Sequence, residues 1–196
     1  MPGNKLSRQL DKMRILRWNE LEAVPWKNGQ GITRELARES KGDSFVWRLS
    51  IADVEGDGPF SHFDGMRRIL TVVEGKGMEL MGANVMLQAD LGAPVEFDGA
   101  LGITSRLKGG PLRDLNLIFD PLYCSGHVSL LAGGESLSIR CGDRQIFALY
   151  CMSGSVALNS AETLHKGDTM ILDEGTCDMR IEAASHALLV KIERPN

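Results

Sequence analysis

The stretch RRILTVVEGKGMEL, residues 67–80, consists of an apolar segment, a turn at Gly75 and a second short segment. The same arrangement returns in QIFALYCMSGSVAL, residues 145–158, with its turn at Gly154. Short apolar runs bounded by glycine are typical of β-strands. Because the two glycines are 79 residues apart in sequence (154 − 75), the pattern predicts two copies of one β-module in a single chain.

Both copies are followed by a further pair of short segments, at residues 87–99 and 164–175. The clearest individual strand is FVWRLSIADV, residues 45–54, in which apolar side chains alternate with a face that carries Arg48. Turn residues recur at the short spacing that is typical of sandwiches and barrels. Further strands are predicted at residues 68–73, 78–81, 115–119, 128–132, 145–151, 155–158, 169–172 and 186–192. Gly75-Lys76-Gly77 is expected to be a hairpin turn, because the chain has no phosphate-binding GxxxxGK[ST] motif.

The fold class predicted from these patterns is all-β, with two barrels or jelly-roll sandwiches packed together and few short helices. The boundary between the halves is expected near residues 121–126, which gives an N-terminal half at 13–122 and a C-terminal half at 123–196. Residues 1–12 are expected to be a disordered extension, and we assign them no function. Polar residues are concentrated in the first copy, so we expect the functional site there.

Charge and composition exclude several classes of protein. The 196 residues include 22 Lys and Arg against 26 Asp and Glu, a net charge of −4, so no basic field attracts nucleic acid. The apolar runs are much shorter than a membrane-spanning helix, and the basic N-terminal arm lacks the apolar stretch of a signal peptide. We therefore expect a cytoplasmic protein that binds neither nucleic acid nor membranes.

The four cysteines are scattered, with no CxxC pair and no histidine at a metal-ligand spacing. This distribution favours reduced thiols in a core over disulfides or a zinc site. Cys151 lies within the apolar segment FALYCM, which favours a buried packing role over a nucleophile.

The strand, glycine turn, strand and later Gly167-Asp168 turn resemble the cupin barrel, and two copies resemble a bicupin. Metal-dependent cupins carry HxH, a Glu about four residues later and a glycine seven residues after that Glu. With Gly75 as that glycine, the ligand positions are His62, Asp64 and Arg68. A guanidinium has no free lone pair and cannot replace a carboxylate ligand. The second copy has no histidine before Gly154 in the relevant strand, so we expect neither half to use a metal or another cofactor.

At finer detail the chain resembles the HutD/Ves family of bicupins. The matching stretches are VPWKNGQGITREL at 24–36, FVWRLSIADVEGDGPFSHFDGMRRILTVVEGKGMEL at 45–80 and GGPLRDLNLI at 109–118. The chain departs from the family at Gln30, where relatives carry glycine, at Asp64, where they commonly carry proline, and after DLNLI, at 119–120. The resemblance implies a metal-independent cytoplasmic bicupin that is linked in some bacteria to histidine utilisation.

Arg68 at a cupin ligand position points into the barrel, where an unpaired charge costs several kcal/mol. Its partner is either an internal carboxylate, from Glu35 or Asp114, or the carboxylate of a ligand. Arginine binds carboxylates through two parallel hydrogen bonds, so a small dicarboxylate or amino-acid derivative suits the site. Asp114 and Asn116 flank Leu115 on one strand and therefore share a face.

The loop WKNGQG, residues 26–31, contains glycines that allow close backbone approach to a ligand, and Trp26 is placed to cover the barrel mouth. A plain surface turn is the competing interpretation. We expect the ligand-binding residues to be Trp26, Lys27, Asn28, Arg34, Glu35, Arg48, Ser50, Phe60, His62, Arg68, Asp114 and Asn116.

Three functions follow from these observations. The first is a binding protein that holds a small anion, such as urocanate or a formylated or formimino derivative of glutamate, and that regulates or buffers histidine breakdown. The second is a metal-independent hydrolase or isomerase with Glu35, His62 or Asp114 as general acid or base. The third is an interaction scaffold in which the second half forms a docking or homodimer surface.

Overall fold

The computed structural model describes residues 13–27, 29–159 and 161–195. The expected extension at 1–12 lies outside the described residues, as does Asn28. Within the described residues the chain forms nineteen β-strands and one 3-10 helix, Trp18–Glu20. The prediction of an all-β protein is confirmed. None of the helical structure described is long and apolar enough to cross a membrane.

The first eleven strands precede residue 120. They are β1 (Met13–Leu16), β2 (Val24–Pro25), β3 (Gly31–Lys41), β4 (Ser44–Val54), β5 (Gly58–Pro59), β6 (Arg67–Glu74), β7 (Met78–Gly82), β8 (Val85–Ala89), β9 (Val95–Asp98), β10 (Thr104–Leu107) and β11 (Leu112–Phe119). The remaining strands are β12 (Ser125–Ala132), β13 (Ser136–Cys141), β14 (Gln145–Ser153), β15 (Ser155–Leu158), β16 (Glu162–His165), β17 (Thr169–Leu172), β18 (Gly175–Ile181) and β19 (His186–Glu193).

The strands form four antiparallel sheets whose orders repeat along the chain. The orders β4-β11-β6-β9 and β5-β10-β7-β8 return as β12-β19-β14-β17 and β13-β18-β15-β16. Strands β4 to β11 therefore have the same arrangement as strands β12 to β19. The repeat that the two glycine turns predicted is present in the topology.

The first three strands lie outside this repeat. β2 and β3 extend the first large sheet beside β4. β1 instead pairs with β17 of the second half, with Met13 opposite Leu172 and Leu16 opposite Thr169. Residues 121–126, where the boundary is expected, cover most of the turn after β11 and the first two residues of β12, and β1 pairs across them with a strand of the opposite half.

The two glycine turns are corners between sheets. Gly75 has φ +104° and Gly154 has φ +68°, values that favour glycine over residues with a Cβ. β6 and β7 belong to different sheets, and so do β14 and β15. The expectation of a hairpin at residues 75–77 was therefore wrong, because the chain turns there onto the facing sheet instead of pairing with its own strand.

Apolar side chains fill three layers between the sheets. One core lies between the two sheets of the first half and contains Leu70 and Met78. A second occupies the same place in the second half and contains Leu149 and Val156. The third joins the large sheets of the two halves, through residues such as Leu115 and Tyr150. A central strand such as β4 is thus covered on both faces, which explains its nearly continuous burial.

Candidate functional site

A cavity of about 450 Å³ opens on the first half, on the face of the six-stranded sheet that is turned away from the second half. Its floor is made by alternate residues of β4, β6 and β11, because every second side chain of a strand projects from the same face. Two loop segments, at 25–27 and 59–63, form its rim. The full lining is Pro25, Trp26, Lys27, Thr33, Arg48, Ser50, Ala52, Pro59, Phe60, Ser61, Phe63, Arg68, Asp114, Asn116 and Ile118.

Arg68 lies deep in the cavity wall and is only 5% exposed. Its Nη2 donates a hydrogen bond to Asn116 Oδ1 at 2.7 Å, and its Nη1 donates to the carbonyl oxygen of Ser61 at 3.3 Å. Its Nε has no hydrogen-bond partner within residues 13–27, 29–159 and 161–195. Burial lowers the pKa of Arg68 to about 10, with Asp114 opposing the shift, so the guanidinium is charged at neutral pH.

Asn116 connects Arg68 to a buried carboxyl group. The Nδ2 of Asn116 donates a hydrogen bond to Asp114 Oδ1, so the amide accepts from the cation and donates to the acid. Asp114 is 1% exposed, and its Oδ2 has no hydrogen-bond partner among the described residues. Burial raises the pKa of Asp114 to about 7; the Arg68 charge opposes that shift and Asp53 adds to it.

Arg48 is the second guanidinium in the cavity and is half-buried. Its Cζ lies 5.3 Å from the ring centroids of both Phe45 and Phe63, within the range of a cation–π contact with each ring. Burial lowers the pKa of Arg48, and the charge of Glu35 opposes that shift. No carboxylate oxygen of the described residues lies within 4.0 Å of the nitrogens of Arg48 or Arg68.

Aromatic rings surround the two cations. The Arg68 Cζ lies 5.0 Å from the centroid of Phe60, 5.5 Å from Phe63 and 5.2 Å from Phe97. Phe63 contacts both guanidiniums, and it was missed by the sequence analysis. Phe63 lies in a loop that shows no alternation of apolar and polar residues. The only sequence signal for it is its position directly after His62, in a stretch that matches the family.

Eight of the twelve expected ligand-binding residues line this cavity: Trp26, Lys27, Arg48, Ser50, Phe60, Arg68, Asp114 and Asn116. Three do not, namely Arg34, Glu35 and His62. Asn28 lies outside the described residues.

Arg34 projects from the opposite face of the sheet. Its neighbour Thr33 lines the cavity, so strand alternation directs Arg34 toward the second half. There its Nη1 lies 2.5 Å from Asp53 Oδ2, and its Cζ lies 4.4 Å from the ring centroid of Trp18. Placing Arg34 with the other cavity arginines was therefore wrong.

Glu35 and His62 lie near the cavity but outside its lining. Glu35 pairs with Ser50 across the ladder, yet its side chain is 42% exposed and lies 3.9 Å from Arg38. His62 is exposed in the loop before β6, next to Gly102.

The direct ion pair considered for Arg68 with Glu35 or Asp114 is not formed. Asn116 separates Arg68 from Asp114, and Glu35 contacts Arg38. In the part of the chain that the structure describes, no three His, Cys, Asp or Glu side chains are grouped closely enough to hold a metal ion.

Paired antiparallel sheets with a polar cavity on one sheet face define a cupin-like all-β protein. In agreement, the bacterial pirin YhhW from Escherichia coli, solved in complex with nickel(II), superposes with a TM-score of 0.66 at 12% identity, covering 94% of this chain and 100% of that one. At this identity the likeness shows the fold alone.

The HutD family profile matches residues 18–189, and the chain belongs to the HutD family. HutD from Pseudomonas fluorescens SBW25 superposes with a TM-score of 0.81 at 27% identity, covering 94% of this chain and 100% of that chain. An uncharacterised 21.2 kDa protein in the hutC 3′ region of Pseudomonas putida is 42% identical over 118 residues, which span 57% of this chain and 60% of that relative. Protein Ves from Citrobacter koseri is 30% identical over 156 residues, covering 78% of this chain and 75% of that protein.

Proposed function

We propose that the protein is a bicupin whose N-terminal half, residues 13–122, binds a small carboxylate between Arg48 and Arg68. We further propose that it acts in histidine utilisation as a regulator or as a buffer of an intermediate. The names of its relatives, HutD and a protein of the hutC 3′ region, support the pathway. Urocanate and N-formyl or N-formimino glutamate are the ligands to test first.

One observation carries the binding proposal: two guanidiniums share a cavity without a carboxylate within ion-pair distance in the described residues. Removing a cation from water without a counterion is costly, and the site recovers that cost when an anion enters. Guanidinium forks match the geometry of a carboxylate. The phenyl rings beside them suit the carbon skeleton of an amino-acid derivative, and about 450 Å³ is within the range of small-molecule sites.

Thermal unfolding with each compound tests this proposal. A ligand present at about 100 times its Kd adds about 2.7 kcal/mol to the unfolding free energy, which raises Tm by about 5–10 °C for a chain of this length. Arg68→Lys keeps the charge but loses the fork, and Arg48→Gln removes the second cation, so both are expected to reduce the shift strongly.

Arg67→Gln is the matched control. Arg67 is adjacent to Arg68, but its side chain is 38% exposed and pairs with Glu96 at 2.8 Å outside the cavity. The variant is expected to keep the full ligand-induced shift. If none of the three compounds shifts Tm, or if Arg67→Gln and Arg68→Lys respond alike, the binding proposal is wrong.

A second candidate function is catalysis, and the position of Asp114 favours it. A buried carboxyl with a pKa near 7 that lines a cavity is suited to general acid–base chemistry. Of the three acid–base candidates from the sequence, Asp114 alone lines the cavity. Chromatography of each compound after incubation separates the two functions, because only an enzyme forms more than one equivalent of product per protein.

A further inference from the structure

The two oxygens of Asp114 have different surroundings. Oδ1 accepts a hydrogen bond from the Asn116 amide, whereas Oδ2 is buried and has no partner in the part of the chain that the structure describes. Asp114 lines the cavity, so its carboxyl group belongs to the wall that a bound ligand would contact. A buried ionised oxygen without a donor is costly, whereas a neutral acid places its one proton on the oxygen that accepts no hydrogen bond.

The charged groups around Asp114 do not overcome the cost of its burial. Arg68 on β6 reaches it only through the Asn116 amide, and Arg48 on β4 stacks on phenyl rings. Asp53, on the other face of β4, adds a negative charge, and Lys27 at the rim is exposed. Burial is the largest influence on the pKa of Asp114, which it raises to about 7.

We propose that Asp114 enters the carboxylate site as a neutral acid, and that its Oδ2–H donates a hydrogen bond to the bound anion beside Arg48 and Arg68. This inference rests on the proposed carboxylate-binding function. An anion in the cavity repels the ionised form of Asp114 and accepts from the neutral form. Binding above pH 7 therefore takes up one proton from solvent for each anion bound, and the proton resides on Oδ2.

N-formyl-L-glutamate is the probe of choice, because both of its carboxyl groups titrate well below neutral pH. Calorimetry between about pH 6 and about pH 8.5 is expected to give a Kd that rises toward about tenfold per pH unit above pH 7. Titrations at about pH 8 in two buffers of different ionisation enthalpy are expected to report uptake of close to one proton.

Two variants test whether Asp114 is the group that makes the Kd depend on pH. Asp114→Asn keeps an N–H donor but has no titrating group, so its Kd is expected to lose the dependence on pH. His62→Gln removes an exposed imidazole next to the cavity rim and is expected to keep that dependence. A Kd that is constant or falls as pH rises in the unmodified protein overturns the inference while leaving carboxylate binding intact.

A measurement without ligand separates failure of this inference from failure of the proposed function. In the ¹³C NMR spectrum of carboxyl-labelled protein, the Asp signal that is missing from Asp114→Asn is expected to titrate near pH 7. A midpoint below about pH 5, close to that of an ordinary carboxyl, overturns the neutral-acid assignment whether or not the probe binds. Absence of probe binding at every pH contradicts the proposed function, and with it the contact between Asp114 and an anion.

Discussion

Arg113 and Asp114 are adjacent on β11, and their side chains lie on opposite faces of the central sheet. Arg113 Nε donates to Asp53 Oδ1 at 2.6 Å on the face toward the second half, whereas Asp114 lines the cavity. The Arg113 guanidinium also lies 4.2 Å from the ring centroid of Trp18, the ring that Arg34 contacts at 4.4 Å. The Trp18 N–H in turn donates to Asp168 Oδ1 of the second half at 3.0 Å, so one strand contributes both to the contact between the halves and to the acid of the candidate site.

Asp53 bridges the two arginines of the contact between the halves, at 2.5 Å from Arg34 and 2.6 Å from Arg113. Asp53→Asn leaves Arg34 without its carboxylate partner, and Arg113 keeps only Glu74, at 3.1 Å, so we expect a loss of about 1–3 kcal/mol of unfolding free energy. Urea unfolding measures this loss. Glu96→Gln breaks the exposed pair with Arg67 and is expected to cost less than about 1 kcal/mol. Equal costs for the two variants would contradict the bridging role.

Asn116→Leu tests the amide that joins Arg68 to Asp114. Leucine has a similar size but cannot accept from the guanidinium or donate to the carboxyl, so two buried polar groups lose a partner. We expect a loss of about 1–3 kcal/mol in chemical unfolding. Ser138→Ala, at an exposed position on β13, is the control and is expected to change stability by less than about 0.5 kcal/mol. A cost for Asn116→Leu no larger than the control would mean that the connection contributes nothing.

Site residues could be predicted from the sequence where they lie on strands with a clear alternation of apolar and polar side chains. In β4 the odd positions from Phe45 to Ile51 are apolar, which directs Arg48 and Ser50 to the other face, and β11 places Asp114 and Asn116 together by the same rule. β3 was not predicted, because its segment GITRELARESK is polar on both faces and β-bulges shift its register after Glu35. Without that register, the face of Arg34 was not determined.

The loop residues of the site depend on tertiary contacts that local sequence does not encode. Phe63 N–H donates to the carbonyl of Gly99, 36 residues later (99 − 63), and a Cβ at Gly99 would lie 2.6 Å from the Phe63 carbonyl oxygen. This close approach fixes the loop beneath Arg48 and Arg68. A single sequence contains no periodic signal for such a contact.

Asp114 makes stability depend on pH in a direction opposite to that of an ordinary ion-paired acid. Its folded pKa of about 7 lies above the ordinary value of 3.8, so between these values the folded state holds a proton that the unfolded state has released. Stability therefore falls as pH rises from about 4 to about 7, by up to about 4 kcal/mol. Asp114→Asn is expected to remove this slope and to be relatively more stable at pH 8 than at pH 5. Parallel pH profiles of the two proteins would contradict the raised pKa.

Gly31 begins β3 at the cavity rim, where a side chain has no room. A Cβ at this position would lie 2.5 Å from the Asp53 carbonyl oxygen and 2.9 Å from ring atoms of Trp26. Trp26 lines the cavity and donates from Nε1 to Thr33 Oγ1 at 2.8 Å. We expect Gly31→Ala to displace the indole, to cost about 1–3 kcal/mol and to change the tryptophan emission.

Gly56→Ala is the control for this substitution, since a Cβ there meets no atom within 4 Å and its φ is not in the left-handed region. It is expected to leave Tm within about 2 °C of the unmodified protein or to raise it slightly, because alanine restricts the unfolded chain. Thermal unfolding, tryptophan emission and affinity for N-formyl-L-glutamate are measured for both variants. Because Trp26 forms part of the rim, Gly31→Ala should also weaken binding of the probe. Unchanged Tm, tryptophan emission and affinity in that variant would show that the rim tolerates a side chain at Gly31.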